Sequence, residues 1–279
     1  MATSGANLCR PRAAIASAPH WADRLFYAAA ALLVASCAVA TVNWCDSMSN
    51  MGAMQMPGGW GMAMTWMREP GQSWLEAVLA FLEMWLVMMV AMMFPAVARA
   101  FAGIHASNRT RAGKRAALQT ALAGAGYLGV WTAIGAVAYA IGVSMANWEM
   151  QDPRIARLVP FATGAAIALA GTFQFTAWKA RSLAACRLVH CVHDADGSGW
   201  LPALRRGVDL GVRCSACCGN LTAILLVAGV MEPVAMTAVT LAIAAERLAP
   251  NALRVARGFG YIALASGFVE MARACAVAA

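Results

Sequence analysis

Long apolar runs separated by short polar loops fill the chain from about residue 25 onwards. Each run is close to the roughly 20 residues that an α-helix needs to cross a bilayer. The sequence therefore predicts an all-α, polytopic transmembrane helix bundle with about seven spans. We place these spans at residues 25–42, 74–98, 117–145, 155–178, 208–231, 234–249 and 258–275.

Two spans depart from the standard length. The sixth is short and forms a tight hairpin with the fifth, turned at Glu232-Pro233, while the third is overlong and predicted to tilt. Residues 1–24 are expected to form a loose cytoplasmic segment, and residues 25–279 a single transmembrane domain. Two connectors are long enough to carry chemistry: an outer methionine-rich loop at 43–73 and a cytoplasmic Cys/His loop at 179–207.

The basic residues predict the orientation. Most of the 21 Lys and Arg residues fall in loops on one side of the predicted spans, and such loops face the cytoplasm. This places the N-terminus inside and the C-terminus outside.

Composition supports a membrane protein and argues against a nucleic-acid partner. Hydrophobic residues make up 61% of the 279 positions and charged residues 12%, against about 25% charged in a soluble domain. The net charge of +8 is explained by the loop pattern, and no nucleic-acid recognition motif accompanies it. The expected surroundings are the lipid bilayer and, because small residues line the third span, neighbouring helices or partner membrane subunits.

The outer loop holds a burst of methionines interleaved with Trp60 and Trp66. Thioethers bind soft ions such as Cu(I) and need no deprotonation, so such a site works in an oxidising or acidic compartment. The alternative is an interfacial segment whose Met and Trp side chains dip into the headgroups. We favour copper capture, with these methionines as candidate ligands: Met48, Met51, Met54 and Met56, followed by Met62, Met64 and Met67.

A second methionine group lies in span two, in a helix predicted to end at Pro95. Met88 and Met92 are four residues apart, as are Met89 and Met93, so they form two adjacent ridges on one side of the helix. Adaptable packing filler is the usual role of such methionines. Glu83 lies inside the same span, where a carboxylate is costly and tends to mark a functional site. Its presence therefore favours a functional role for the methionines somewhat more.

Three cysteines open span five. Cys214, Cys217 and Cys218 have i, i+3, i+4 spacing, so their sulfurs share one helix face and can converge on one ion. The cytoplasmic side is reducing, which disfavours a permanent disulfide. Inert buried cysteine is the alternative.

The predicted cytoplasmic loop contains a Cys/His run of the sequence Cys186-x-x-x-His190-Cys191-x-His193-Asp194. Such ligands suit Zn(II) or Cu(I), although short runs of this kind also arise by chance. Glu246, near the inner end of span six, is expected to pair with Arg247 or another cytoplasmic base.

The predicted topology brings two of these groups to one depth. Span two ends inside and span five begins inside, so Met88–Met93 and the cysteines Cys214, Cys217 and Cys218 both fall in the inner half of the bilayer. We expect them to surround one soft cation, most simply Cu(I), with Zn(II) as the alternative.

Five motifs follow one another along the chain: W-x-x-M-x-x-A-M-M-x-P at 85–95, G-x-[YF]-Q-[FL]-T-x-x-K at 171–179, G-x-x-C-x-x-C-C at 211–218, G-V-M at 229–231 and an acidic-basic pair before proline at 246–250. In this order they resemble an uncharacterised bacterial family of predicted metal-binding integral membrane proteins (domain of unknown function 2182). The resemblance covers roughly residues 75–268. It implies metal binding in a bacterial inner membrane but supplies no reaction. Ser182 stands where the first cysteine of the family's mid-loop pair is expected, which leaves Cys186.

Two classes of function fit these features. The first is Cu(I) capture by the outer methionines followed by relay or storage at an inner Met/Cys site. The second is an accessory or assembly subunit of a larger membrane complex, such as a copper-dependent oxidase or monooxygenase. An enzyme is less favoured, because none of the four histidines lies in a predicted span and oxidative copper sites generally use imidazole.

Overall fold

A computed structural model describes residues 20–50, 54–57, 60–62, 64–68, 71–112, 115–187, 199–230 and 232–278. Within these ranges the chain is almost entirely helical, which confirms the all-α bundle. The helices are α1 His20–Asn50, α2 Trp74–Ala112, α3 Ala116–Gln151, α4 Pro153–Phe173, α5 Ala177–Arg187, α6 Trp200–Ala228, α7 Pro233–Leu248 and α8 Ala252–Ala278.

Five helices in the described ranges are long and apolar enough to cross a membrane. They are α1, α2, α3, α4 and α6, each matching one of the seven predicted spans. The last two predicted spans correspond to α7 and α8. Of these, α7 has 16 residues, fewer than the roughly 20 that a bilayer requires.

The ends of α2 and α5 correct two expectations. Pro95 lies inside α2, and the helix continues to Ala112; neighbouring helices in a bundle can satisfy the backbone group that proline leaves free. The expected loop at 179–207 is largely helical, because α5 reaches Arg187 and α6 begins at Trp200. Similarly, α1 extends to Asn50, so the connector between α1 and α2 is residues 51–73, called here the methionine segment.

Four helices form a ring around the sulfur-containing side chains. Helix α2 packs against α3 and α7, and α6 packs against the same two helices. The helices α2 and α6 therefore lie diagonally opposite, with their buried faces directed to a common core. Outside the ring, α1 packs on α2 and α8 packs on α4.

Glycines allow α3 and α6 to approach closely. An added Cβ at Gly207 would lie 1.9 Å from the carbonyl oxygen of Ala123, and one at Gly126 would lie 2.3 Å from that of Leu204. Small residues at such crossings let helix backbones touch. This contact fixes the position of α6, and with it the three cysteines.

Aromatic residues fix the register between α2 and α3. The indole of Trp85 lies against Gly135 and donates a hydrogen bond to the carbonyl of Trp131 over 2.9 Å. Further along α2, the rings of Phe101 and Tyr127 meet edge to face. The intervening turns of α2, which carry the four methionines, are thereby held alongside α3.

The turn between α6 and α7 is built as the sequence predicts. Gly229 adopts a φ of 123°, a left-handed conformation that favours glycine. Glu232 then caps α7, accepting a hydrogen bond from the backbone N–H of Ala235. This tight turn brings the start of α7 beside the end of α6.

Candidate metal centre

Four cysteine side chains are buried together between α5 and α6. Cys214, Cys217 and Cys218 on α6 are 0% exposed and Cys186 on α5 is 6% exposed. Their side chains are neighbours in the order Cys186, Cys217, Cys218, Cys214. All four are free cysteines, and we call them the cysteine cluster.

A guanidinium group lies directly against this cluster. Arg247, in the last turn of α7, donates hydrogen bonds to the Sγ atoms of Cys186 and Cys214, the latter over 3.4 Å. On its other side, the Sγ of Cys214 lies 3.3 Å from the hydroxyl of Tyr127. Guanidinium remains charged in proteins, so the sulfurs sit beside a permanent positive charge.

Glu246 has a different partner from its sequence neighbour. The carboxylate of Glu246 pairs with Lys179 over 2.7 Å and accepts a hydrogen bond from Gln174 over 2.8 Å. We predicted that Glu246 pairs with Arg247 or with another base. The structure shows the second alternative, with Lys179 as the base. Consecutive residues of a helix point about 100° apart, so Glu246 faces α5 while Arg247 faces the cysteines.

Lys179 ties this ion pair to the cysteine-bearing helix. Its ammonium also donates to the carbonyl of Cys217 over 2.7 Å and to the side chain of Asn220 over 3.3 Å. Lys179 and Glu246 are both 0% exposed, and a buried pair keeps its charges only when they are compensated in this way. Lys179 thus neutralises the negative charge of Glu246. The positive charge of Arg247 is not neutralised by Glu246 and faces the cysteine sulfurs.

The four methionines of α2 are buried in the same core as the cysteine cluster. Met88, Met89 and Met93 are 0% exposed and Met92 is 3% exposed. Met84, one turn earlier, is also buried, so Met84, Met88 and Met92 form a continuous ridge with four-residue spacing.

The depth of this ridge matches that of the cluster. The ridge lies between Trp85, which bonds Trp131, and Phe101, which contacts Tyr127. Tyr127 in turn touches Cys214. The diagonal helices therefore carry their thioethers and thiols at one level of the bundle, although α2 and α6 do not pack side by side.

The cluster is not drawn together around a point. Within the described residues, no three His, Cys, Asp or Glu side chains meet in a geometry that could hold a metal ion. What the structure provides is a buried set of neighbouring soft donors, with the guanidinium of Arg247 against two of them.

The other predicted ligand positions are dispersed or undescribed. His190, Cys191, His193 and Asp194, like Met51, lie outside the described residues. Glu83 is exposed on α2, away from the methionine core.

The methionine segment contains a small folded unit. Strands β1 (Met54–Gln55) and β2 (Gly61–Met62) pair antiparallel, and a 3₁₀ turn follows at Met64–Trp66. Met56 and Met62 are buried against Ala146 and Ala156, so they help to pack the segment onto α3 and α4. Met54 is 42% exposed.

Three residues of the site were not singled out as site residues from the sequence. Lys179 and Arg247 belong to motifs that carry the family resemblance, which was the available signal. No sequence signal pointed to Tyr127, because it lies in a glycine-rich helix with no other chemical feature.

The sequence was also compared with known proteins. No curated protein and no solved structure matches the chain significantly. Residues 82–269 match a family described as PpoB2, copper chaperone; this stretch includes every member of the cysteine cluster and of the ridge from Met84 onwards. The match supports an association with copper and does not test the name of the family that the motifs resemble. Because it covers more than half of the sequence, the chain belongs to the PpoB2 family of copper chaperones.

Proposed function

We propose that this protein is a membrane-embedded Cu(I) carrier of the bacterial inner membrane. Methionines of the methionine segment, of which Met54 is exposed, capture the ion outside, the ridge of α2 passes it inward, and the cysteine cluster holds it. The observation that carries the proposal is the burial of four thiols at the level of the methionine ridge, in a chain of a copper chaperone family.

Soft ligands explain why such a path would favour Cu(I). Thioether and thiolate sulfur select Cu(I) over harder ions. Because the successive donors are similar, no single site along the path binds the ion too tightly to pass it on. At the cluster, Arg247 moves aside from the sulfur that receives the ion. Two cluster thiols each lose a proton to water at the inner end of the bundle as they bind the ion. The two thiolates and one Cu(I) then carry a net charge of −1, which the guanidinium balances.

Elemental analysis of the purified protein tests the holding site. We expect bound Cu(I) in the wild-type protein and the loss of the cluster-bound ion, seen as a lower copper content, in the triple variant Cys214→Ser, Cys217→Ser, Cys218→Ser. The matched control changes Cys37 and Cys275 to Ser, because these cysteines lie outside the cluster, Cys275 being exposed. Unchanged copper content in the triple variant would refute the cluster, and bound Zn(II) in place of copper would refute the choice of ion.

A second pair of variants tests the ridge. Met88→Leu with Met92→Leu removes two thioethers but nearly preserves volume, a change that cores tolerate well. We expect the cluster to bind Cu(I) as before and to load more slowly when copper is offered from the outer side of vesicles. Met145→Leu with Met150→Leu, exposed positions of α3, is the control. Equal loading rates in both double variants would show that the methionine ridge does not carry the ion.

A further inference from the structure

Two more sulfur atoms meet at the other end of the ridge. The thiol of Cys45 on α1 donates a hydrogen bond to the thioether of Met236 on α7, with 3.7 Å between the sulfurs. The side chains are 4% and 7% exposed. Neither residue has a part in the function proposed above.

The separation of the two sulfurs suits a shared ion. Metal–sulfur bonds of about 2.3 Å place two sulfurs about 3.8 Å apart at a tetrahedral angle and about 4.6 Å apart in a linear, two-ligand arrangement, so the observed 3.7 Å needs to open by less than about 1 Å. Both helices pack on α2, and Cys45, Met236 and Met84 lie in one buried core. A cation could therefore be held between Cys45 and Met236 with little movement of the backbone.

Negative charge surrounds this pair. The carboxylates of Asp46 and Glu232 are close enough to interact electrostatically with Cys45, and both residues are exposed. Opposite charges attract more strongly near a protein surface than in bulk water. A cation approaching from solvent at this end of the bundle is thus drawn towards Cys45.

The pair also connects the methionine segment to the ridge. Met48 lies one helical turn after Cys45, and its sulfur accepts a hydrogen bond from Thr65 of the methionine segment over 3.5 Å. On the inner side, Met84 begins the ridge that runs to Met92.

We propose that Cys45 and Met236 form a transfer site for Cu(I) between the methionine segment and the α2 ridge. This inference rests on the proposed function, since it adds an intermediate station to the same path. On binding, the Cys45 thiol loses its proton to water at this end of the bundle, and the ion exchanges one thioether of the methionine segment for a thiolate. Cu(I), one thiolate and one thioether give a neutral complex, which is far less costly to bury than a bare cation.

Copper titration of the full-length protein in detergent tests the site, with Cu(I) added under reducing conditions against a chromophoric Cu(I) chelator. Cys45→Ser and Met236→Leu should each bind one Cu(I) fewer than the wild-type protein. The matched controls are Cys37→Ser on the same helix and Met145→Leu on α3, which should not change the stoichiometry. Met236→Leu nearly preserves volume, so it remains informative if Cys45→Ser fails to fold.

A combined variant separates this site from the cysteine cluster. The triple variant at Cys214, Cys217 and Cys218 should retain one Cu(I), and adding Cys45→Ser should remove it. If Cys45→Ser and Met236→Leu behave like their controls while the triple variant loses its copper, the transfer site is overturned and the proposed function stands. If the triple variant keeps all of its copper but Cys45→Ser loses an ion, the transfer site stands and the cluster is overturned.

Discussion

Nη1 of Arg247 lies 3.4 Å from the Sγ of Cys214, so a permanent cation occupies one side of the cysteine cluster. The same guanidinium also contacts Cys186. In a protein interior, charges interact more strongly than in water. If the cluster holds Cu(I) as proposed, Arg247 would balance the negative charge of two thiolates and one monovalent ion, and this balance would favour Cu(I) over a divalent ion held by the same two sulfurs.

Replacing Arg247 should weaken copper binding. Hydrogen bonds to charged groups contribute about 1.5–3 kcal/mol, so Arg247→Met is expected to lower the Cu(I) affinity by roughly ten- to a hundredfold. Arg247→Lys, which keeps the charge, should recover part of the loss. Competition with a chromophoric chelator measures both, and equal affinity in Arg247→Met and wild type would contradict the charge-balance argument.

The buried pair of Lys179 and Glu246 should dominate the stability of this end of the bundle. Glu246→Gln leaves a buried ammonium without its counter-charge, which costs about 3–5 kcal/mol. We expect a clearly lower melting temperature in detergent, and partial recovery when Lys179→Met and Glu246→Leu are combined. The control is Asp209→Asn, which breaks an exposed pair with Arg213 and should have little effect. A similar melting temperature for Glu246→Gln and Asp209→Asn would show that the pair is not structural.

Helix α6 should depend on the absence of a side chain at Gly207. The methyl group of Gly207→Ala would lie 1.9 Å from the carbonyl oxygen of Ala123, so α3 and α6 must separate. Overpacking of this kind costs about 1–3 kcal/mol or more, which thermal unfolding in detergent would detect. Gly124→Ala is the control on α3, because an added Cβ there meets nothing within 4 Å. Equal stability of the two variants would contradict the close contact.

Two methionines of the methionine segment should differ in what they contribute. Met62 is 2% exposed and Met54 is 42% exposed, although they pair across the same hairpin. Met62→Ala removes a buried side chain, a change that costs about 2–5 kcal/mol, and should open residues 51–73 to protease. Met62→Leu and Met54→Ala should leave the cleavage rate unchanged. Rapid cleavage of all three variants would mean that Met62 does not anchor the hairpin.

The helices could be predicted from the sequence because long apolar runs leave a membrane segment few alternatives. The end of α2 could not, since proline usually interrupts a helix, whereas α2 continues through Pro95 to Ala112. Helix α5 was missed for a related reason. Its 11 residues include Lys179, Arg181 and Arg187, so its composition resembles that of a loop, while its stability comes from contacts with α6 and α7.

Part of the candidate site was also accessible from sequence. Spacing alone placed Cys214, Cys217 and Cys218 on one face, and the structure shows all three buried. The addition of Cys186 from α5, and the choice of Arg247 rather than Glu246 as the group facing the sulfurs, depend on how three helices meet. No spacing rule along one segment contains that information.

Helix α5 is fastened at both ends: Lys179 in its first turn bonds Glu246 and Cys217, and Cys186 in its last turn contacts Arg247. A helix this short is held by its neighbours rather than by its own propensity. We therefore expect it to open by local unfolding before the long helices do, at the cost of breaking the pair between Lys179 and Glu246. If the cluster holds an ion as proposed, the frequency of that opening would govern the residence time of the ion, and a recipient protein that displaces α5 would accelerate release without competing for the metal itself.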